Sequence, residues 1–291
     1  MNVVGGIVGR NLRLFFRDRL NVFFSLLSGI ILFVLYTLFL ARLQSDGLAA
    51  QFPQATDAEI RAFIDSWMFS GIVLLTTVTT GMGAMSVLVE DGYTGRFADF
   101  LVSPIRRSQL VLGYLVSSVI VTLIMSGVVL ALSVLYLGIF DGVWIAPERL
   151  VVIAGITILC CFAFTALSAF AVSFVRTPGA FSAFATVVGT VLGFIAGAYI
   201  PIGSLPDAVG DVINALPFSQ GGMLLRREFT AQSLAGLTDQ PEAIESMRTF
   251  YGIDAFVGNA EVLPWVAVGV LVAFAVGFTA LSAGRIRSRI R

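Results

Sequence analysis

The chain of 291 residues contains no lysine and no histidine; all 18 of its basic residues are arginine. Without lysine there is no Walker A phosphate loop, whose lysine holds the β- and γ-phosphates, so the chain does not itself read as a P-loop ATPase. Without histidine it lacks the commonest metal ligand and the side chain that titrates near neutrality, which argues against catalysis of either kind. No residue is assigned to catalysis or to a metal. Cysteine is scarce as well, and Cys160 and Cys161 are adjacent in an apolar run. That spacing is unsuited to a structural disulfide, and the pair reads as small buried packing residues. Charge is the largest shortage: charged residues make up 12% of the chain, about half their share in soluble domains, against 57% hydrophobic residues and a mean hydropathy of +0.94. Such a composition belongs to an integral membrane protein.

What is present is six apolar runs, at residues 21–41, 66–89, 110–140, 150–175, 180–200 and 262–284. Each reaches the length of about 20 residues that a hydrocarbon core requires. The first is too long to be a removable signal peptide. Basic residues in short flanks stay cytoplasmic. With the N-terminus inside, twelve of the eighteen arginines fall on the inner side, which predicts cytoplasmic termini at both ends. As bounded here, no run carries Asp, Glu or Arg in its interior. Charges inside a bilayer mark ion, proton or voltage handling, so their lack argues against an ion-coupled carrier and leaves energy to be supplied by a partner.

Two polar segments interrupt the pattern. In residues 1–20, Val4, Val8, Leu12, Phe15 and Phe16 fall on one side of a helical wheel and Arg10, Arg13 and Arg17 on the other. This is the pattern of an interfacial helix lying on anionic lipid, or equally of a basic flank that sets topology. The second segment, EDGYTGRFADFLVSPIRRSQLVLGYL at residues 90–115, is compact, charged and punctuated by Gly and Pro. A solvated loop is the plain reading. Its order argues for more: Phe97, Phe100 and Leu101 share one face of a short helix, Pro104 stops it, and Arg106 and Arg107 anchor the next span at the headgroups. An apolar face with nothing in the chain to cover it implies a partner groove.

Glu90, Gly95, the run Phe100-Leu101-Val102-Ser103-Pro104, then Arg107, Leu110 and Gly113 resemble the pattern around the coupling helix of type-2 ABC transporter permeases. RNLRLFFRDRL at residues 10–20 is similar to that family's opening interfacial helix, and PIGSLPDAVGDVINALPFSQGGMLLRREF at 201–229 to its stretch after the fifth span. Tyr114 departs from the pattern, standing where the family usually has a basic residue. The resemblance implies an all-α integral membrane protein: one permease domain over residues 1–291, with six transmembrane helices, an N-terminal interfacial helix, a cytoplasmic coupling segment at 90–109 and re-entrant outer helices within 201–261. It implies a coupling site at Glu90, Gly95, Arg96, Phe97, Phe100, Leu101, Ser103, Pro104 and Arg107. The partners would be two copies of a separate ABC ATPase subunit, which carries the ATP and Mg, a second copy of the chain, and membrane lipid, with no nucleic acid. The setting would be a bacterial cytoplasmic membrane.

In the family, spans two and five face the central pathway. Here Phe69, Thr76, Thr77, Thr79 and Thr80 on span two, and Gly189, Gly193 and Gly197 in a small-residue ladder with Ala185 on span five, form a candidate route for hydrophobic or amphiphilic cargo. Plain helix packing is the competing reading. Pro201, Pro206, Leu216 and Pro217 are assigned to an outer gate. Before it, Ser204 and Asp207 are expected to form a capping box, and Leu205, Val209, Val212, Ile213 and Leu216 an apolar stripe with Asp207, Asp211 and Asn214 outward. Residues 230–261 read either as an external cap or as a tolerated loop insertion. The expected function is an ATP-driven exporter of a drug, antibiotic or lipid-like molecule. A polysaccharide or glycolipid exporter, and a non-transporting assembly or sensor protein, stay open as alternatives.

Overall fold

The computed structural model describes residues 3–102 and 105–289. In chain order the helices are α1 (Val3–Arg17), α2 (Arg19–Leu35), a π-helical turn (Tyr36–Leu40), α3 (Ala41–Gln51), α4 (Asp57–Ala84), α5 (Ser86–Tyr93), α6 (Arg96–Leu101), α7 (Arg107–Phe140), α8 (Pro147–Val172) and α9 (Pro178–Ile195). After a 3-10 turn (Ile202–Ser204) come α10 (Asp207–Ala215), α11 (Pro217–Phe229), α12 (Ala231–Leu237), α13 (Pro241–Phe250), a hairpin of β1 (Phe256–Val257) and β2 (Ala260–Glu261), and α14 (Pro264–Arg289). Among the described residues six stretches are long and apolar enough to cross a membrane: Arg19–Gln51, Asp57–Tyr93, Arg107–Phe140, Pro147–Val172, Pro178–Ile195 and Pro264–Ser288.

Several boundaries differ from the sequence reading, for identifiable reasons. The second span begins at Asp57, well before the expected 66, because Thr56 and Glu59 form a capping box there, with Thr56 N donating to the Glu59 carboxylate at 2.8 Å. The longer helix takes in Asp65, which is buried, so the expectation of uncharged span interiors does not hold for this helix. The fifth span ends at Ile195 instead of 200, since Gly197 takes a left-handed φ of 60° that glycine adopts freely.

The helix α4 is the axis of the bundle. In its most apolar stretch 83% of residues are buried, against 11% for α9 and 22% for the first span. It packs on α2, α7, α8 and α11. Cys160 and Cys161 on α8 are free and fully buried in this core, as expected.

The helix α1 rests on the bundle by one residue of the stripe the wheel singled out, Phe15, and otherwise by residues outside it. Its buried residues are Ile7, Asn11 and Phe15, spaced by four, and they pack on the start of α7. Gly113 permits this contact: a Cβ there would lie 2.5 Å from Ile7 Cγ2. Asn11 crosses the same seam and donates to Ser117 Oγ at 3.1 Å. Ile286 near the end of α14 joins the same cluster as Ile7, so α1, α5, α6 and the end of α14 occupy one end of the bundle.

At the opposite end, residues 230–261 are a built cap. Trp67 Nε1 on α4 donates to Tyr251 O at 2.7 Å, and the Tyr251 ring meets Phe63 edge-on at 4.9 Å. Arg248 clasps Asp254 at 2.6 and 2.9 Å. The cap alters the expected polarity of α10 in part: Ile213 is buried and Asp207 exposed as expected, but Asn214 is buried and donates to Phe256 O at 2.9 Å, while Val209 and Val212 are exposed. Packing against β1, absent from any wheel drawn on α10 alone, decides which face turns inward. The expected capping box is absent too, since Ser204 Oγ donates to Pro201 O and Pro206 is the N-cap.

Candidate functional site

Three features concentrate polar chemistry in this apolar molecule, and the first is a buried carboxylate. Asp91, on α5 at the foot of the α4–α5 span, is fully buried. Arg10 from α1 binds it with both terminal nitrogens, at 2.6 and 2.7 Å. Arg96 of α6 donates at 3.1 Å and the Tyr114 hydroxyl of α7 at 2.5 Å. Four elements thus meet on one carboxylate. The hydrogen bonds to Asp91 hold the Arg10 guanidinium above its ordinary pKa, and the same guanidinium lies 5.4 Å over the Phe100 ring. A buried acid is tolerated when its charge is matched and its lone pairs are filled, and both conditions are met here. Sequence reading missed Asp91 and treated Tyr114 as a defect in a pattern; the structure makes Tyr114 one of its ligands.

Around this node the residues expected to form the coupling site divide into two groups. Gly95, at φ 75°, ends α5 and starts α6, and Arg96, Phe97 and Phe100 turn toward the bundle. Phe97 is buried edge-on to Tyr114 at 6.2 Å. The part of the apolar face formed by Phe97 and Phe100 is therefore in contact with the chain's own α1 and α7. Glu90 and Arg107 are exposed. The surface left open on α6 and its flanks includes, among the described residues, Tyr93, Thr94, Arg96, Ala98, Asp99 and Val102, the last 88% exposed. Ser103 and Pro104 lie outside the described residues, as does the side chain of Leu101.

The second feature is a cleft of about 470 Å3 between α2, α4 and α9. Hydroxyls of Ser28, Thr79, Ser182 and Thr186 alternate along it with Phe24 and Ile31. Of the residues expected on a pathway, Thr79, Ala185 and Gly189 line it. Thr76 and Thr77 are buried and donate to their own helix, at Ile72 O and Leu74 O, and Phe69 packs on Tyr136 at 5.0 Å. Thr80 is buried with a hydroxyl that has no partner among the described residues. The small-residue ladder splits: Gly193 receives the Tyr199 ring, where a Cβ would lie 2.0 Å from that ring, and Gly197 stands beyond the helix end. Of the threonines at 76, 77, 79 and 80, Thr79 lines the cleft; a run of threonines does not by itself reveal which of them a helix turns outward.

The third feature is Arg226 of α11, fully buried. Its guanidinium donates to Ala196 O, to Gly197 O at 2.9 Å and to Gly252 O at 3.1 Å, and lies 5.7 Å over the Trp67 ring. The first two carbonyls are at the C-terminal end of α9, where the helix dipole favours a cation. Arg226 thereby ties α11, the end of α9 and the cap together. Of the residues expected at an outer gate, Pro201 and Pro217 are buried, Pro206 is exposed at the start of α10, and Leu216 caps α11 with Pro217 in its first turn. With 13 residues, α11 extends about 20 Å, too short for a full crossing.

No curated protein matches the chain in sequence comparison. A model of the ABC-2 type transporter family matches residues 3–227, a span that contains Arg10, Asp91, Tyr114, the cleft between α2, α4 and α9, and Arg226. Most of the chain therefore lies within that match, and the chain belongs to the ABC-2 type transporter family as a multi-pass membrane permease component of an ABC transporter, a component that works with an ABC ATPase.

Proposed function

We propose that two copies of this chain form the membrane part of an exporter in a bacterial cytoplasmic membrane, with both termini and the 90–109 segment in the cytoplasm. Two copies of a separate ATPase subunit bind ATP and Mg and press on α6; hydrophobic or amphiphilic cargo, such as a drug, antibiotic or lipid-like molecule, leaves through a path that includes the cleft. The observation that carries this reading is the convergence of α1, α5, α6 and α7 on Asp91. A displacement of α6 pulls on Arg96, and Asp91 passes it to the central helix above and, through Arg10 and Tyr114, to the interfacial helix and the third span. Hydroxyls scattered among apolar side chains in the cleft suit a cargo with one polar end. Residues 201–229, with α10 and α11 as a re-entrant pair, would close the outer side.

The test is the ATPase activity of the permease reconstituted in liposomes with its co-expressed ATPase subunit, for wild type and for a Val102→Asp, Asp99→Arg double variant. Both positions are exposed, so the permease should remain folded, within about 0.5 kcal/mol of wild type. Assembly with the ATPase subunit and cargo-stimulated hydrolysis should be lost. Unchanged assembly and activity would rule out docking on this surface.

A further inference from the structure

A second cavity, also of about 470 Å3, lies at the other end of the bundle, between the end of the first span and the start of the second. From its position and charge arrangement we infer that it is a binding site for the headgroup of an aminophospholipid, with the ammonium inward at Asp65 and the phosphate at the rim between Arg42 and Arg61. The inference rests on the chain spanning a membrane and needs neither the ATPase nor an assigned cargo.

The charges are layered in depth. Asp65 forms the inner wall and is 7% exposed, above a floor of Ile60 and Ile64. Its carboxyl faces that of Asp141. Among the described residues no arginine forms a salt bridge with Asp65, so this pair of carboxyls stands in the wall with no guanidinium hydrogen-bonded to it. Arg42 and Arg61 line the same cavity but are exposed, with Asp46 and Asp57 beside them, and none of these four forms a salt bridge among the described residues. A buried acid without a cation is costly, whereas a ligand that leads with an ammonium and follows with an anion would match acid below and guanidinium above. Phosphoethanolamine has that order. A trimethylammonium group has no N–H to donate to Asp65, and a phosphatidylglycerol headgroup ends in a neutral glycerol that brings no cation to it.

The level in the membrane also fits. Helices rise about 1.5 Å per residue, so Thr37 on the cavity wall stands about 27 Å along the first span from Arg19, and Asp65 about 39 Å along the second from Asp91. A bilayer core is about 30 Å thick and about 40–45 Å with headgroups, which puts the mouth at the headgroup layer opposite Asp91. Leu38, Phe39 and Leu43 on one side and Ile139 and Phe140 on the other are exposed, apolar flanks for acyl chains. The wall at Thr37 belongs to the π-helical turn Tyr36–Leu40, a local widening that recurs at functional sites.

The test uses purified permease in detergent, titrated with short-chain phosphatidylethanolamine, phosphatidylcholine or phosphatidylglycerol and read by native mass spectrometry. Phosphatidylethanolamine should bind at least about tenfold more tightly than the other two, and lose about tenfold in Asp65→Asn and in the Arg42→Gln, Arg61→Gln double variant. The two arginines are exposed, so the double variant remains informative even if Asp65→Asn alters folding. Equal retention of the three lipids, or wild-type affinity in the double variant, would overturn the site. Soluble phosphoethanolamine binding as tightly as the lipid would overturn the membrane as its source.

Discussion

Asp91 and Arg226 are both buried charges, at opposite ends of the same bundle, and they are satisfied in different ways. Asp91 is held by side chains, two guanidiniums and a phenol from three separate elements. Arg226 is held by backbone carbonyls, at the C-terminal end of α9 and in the cap. Side chains on different helices can exchange partners as the helices move, and Arg10 and Arg96 both reach water, with 29% and 47% of the side chain exposed. Carbonyls fixed by a helix end and a tight loop have no such freedom. The first arrangement has the properties of a joint and the second those of a clamp. In this molecule the joint is at the end where energy is proposed to enter.

The comparison is broken most directly at the clamp. Arg226→Ala leaves three buried carbonyls without their donor, and at about 1–3 kcal/mol for each unsatisfied group the loss should exceed about 3 kcal/mol, read as a large fall in thermal unfolding temperature in detergent. Arg226→Lys should rescue little, because an ammonium lacks the planar fork that reaches several acceptors at once. At the joint, Asp91→Ala should cost less, about 2 kcal/mol, since both arginines can rehydrate. Its larger effect should be on coupling: the permease assembles with its ATPase, but cargo no longer stimulates hydrolysis. If Asp91→Ala melted the protein as deeply as Arg226→Ala, the distinction between joint and clamp would fail. The smallest effect sharpens the comparison. Gly113→Ala places a Cβ against Ile7 and should cost about 1–2 kcal/mol by overpacking, with stability recovered in an Ile7→Ala, Gly113→Ala double variant.

How much was legible in the sequence follows from the range of each interaction. The spans could be read because hydrophobic length is a local property, and the buried cysteines because an apolar run surrounds them. The 90–109 segment could be found by its charge. Its internal arrangement could not: the face of Phe97 and Phe100 reads as an open docking surface until α1 and α7 are known to lie on it. Asp91 was passed over for its neighbour Glu90 because both are acidic, and only the rotation of α5 buries one and exposes the other. The inward turn of Asn214 was invisible for the same reason, its partner Phe256 being 42 residues away.

Composition and the order of apolar runs were enough to determine that this protein lives in a membrane, and that its spans are six and roughly where they lie. These depend on the transfer of each segment from water to lipid, which neighbours along the chain decide. Tertiary structure alone decided which charges are buried and by what they are held. Arg10 finds Asp91 across 81 residues, and Arg226 finds Ala196 and Gly197 across about thirty. A buried charge survives only where donors or acceptors from distant segments converge, and that convergence exists only once the helices have packed.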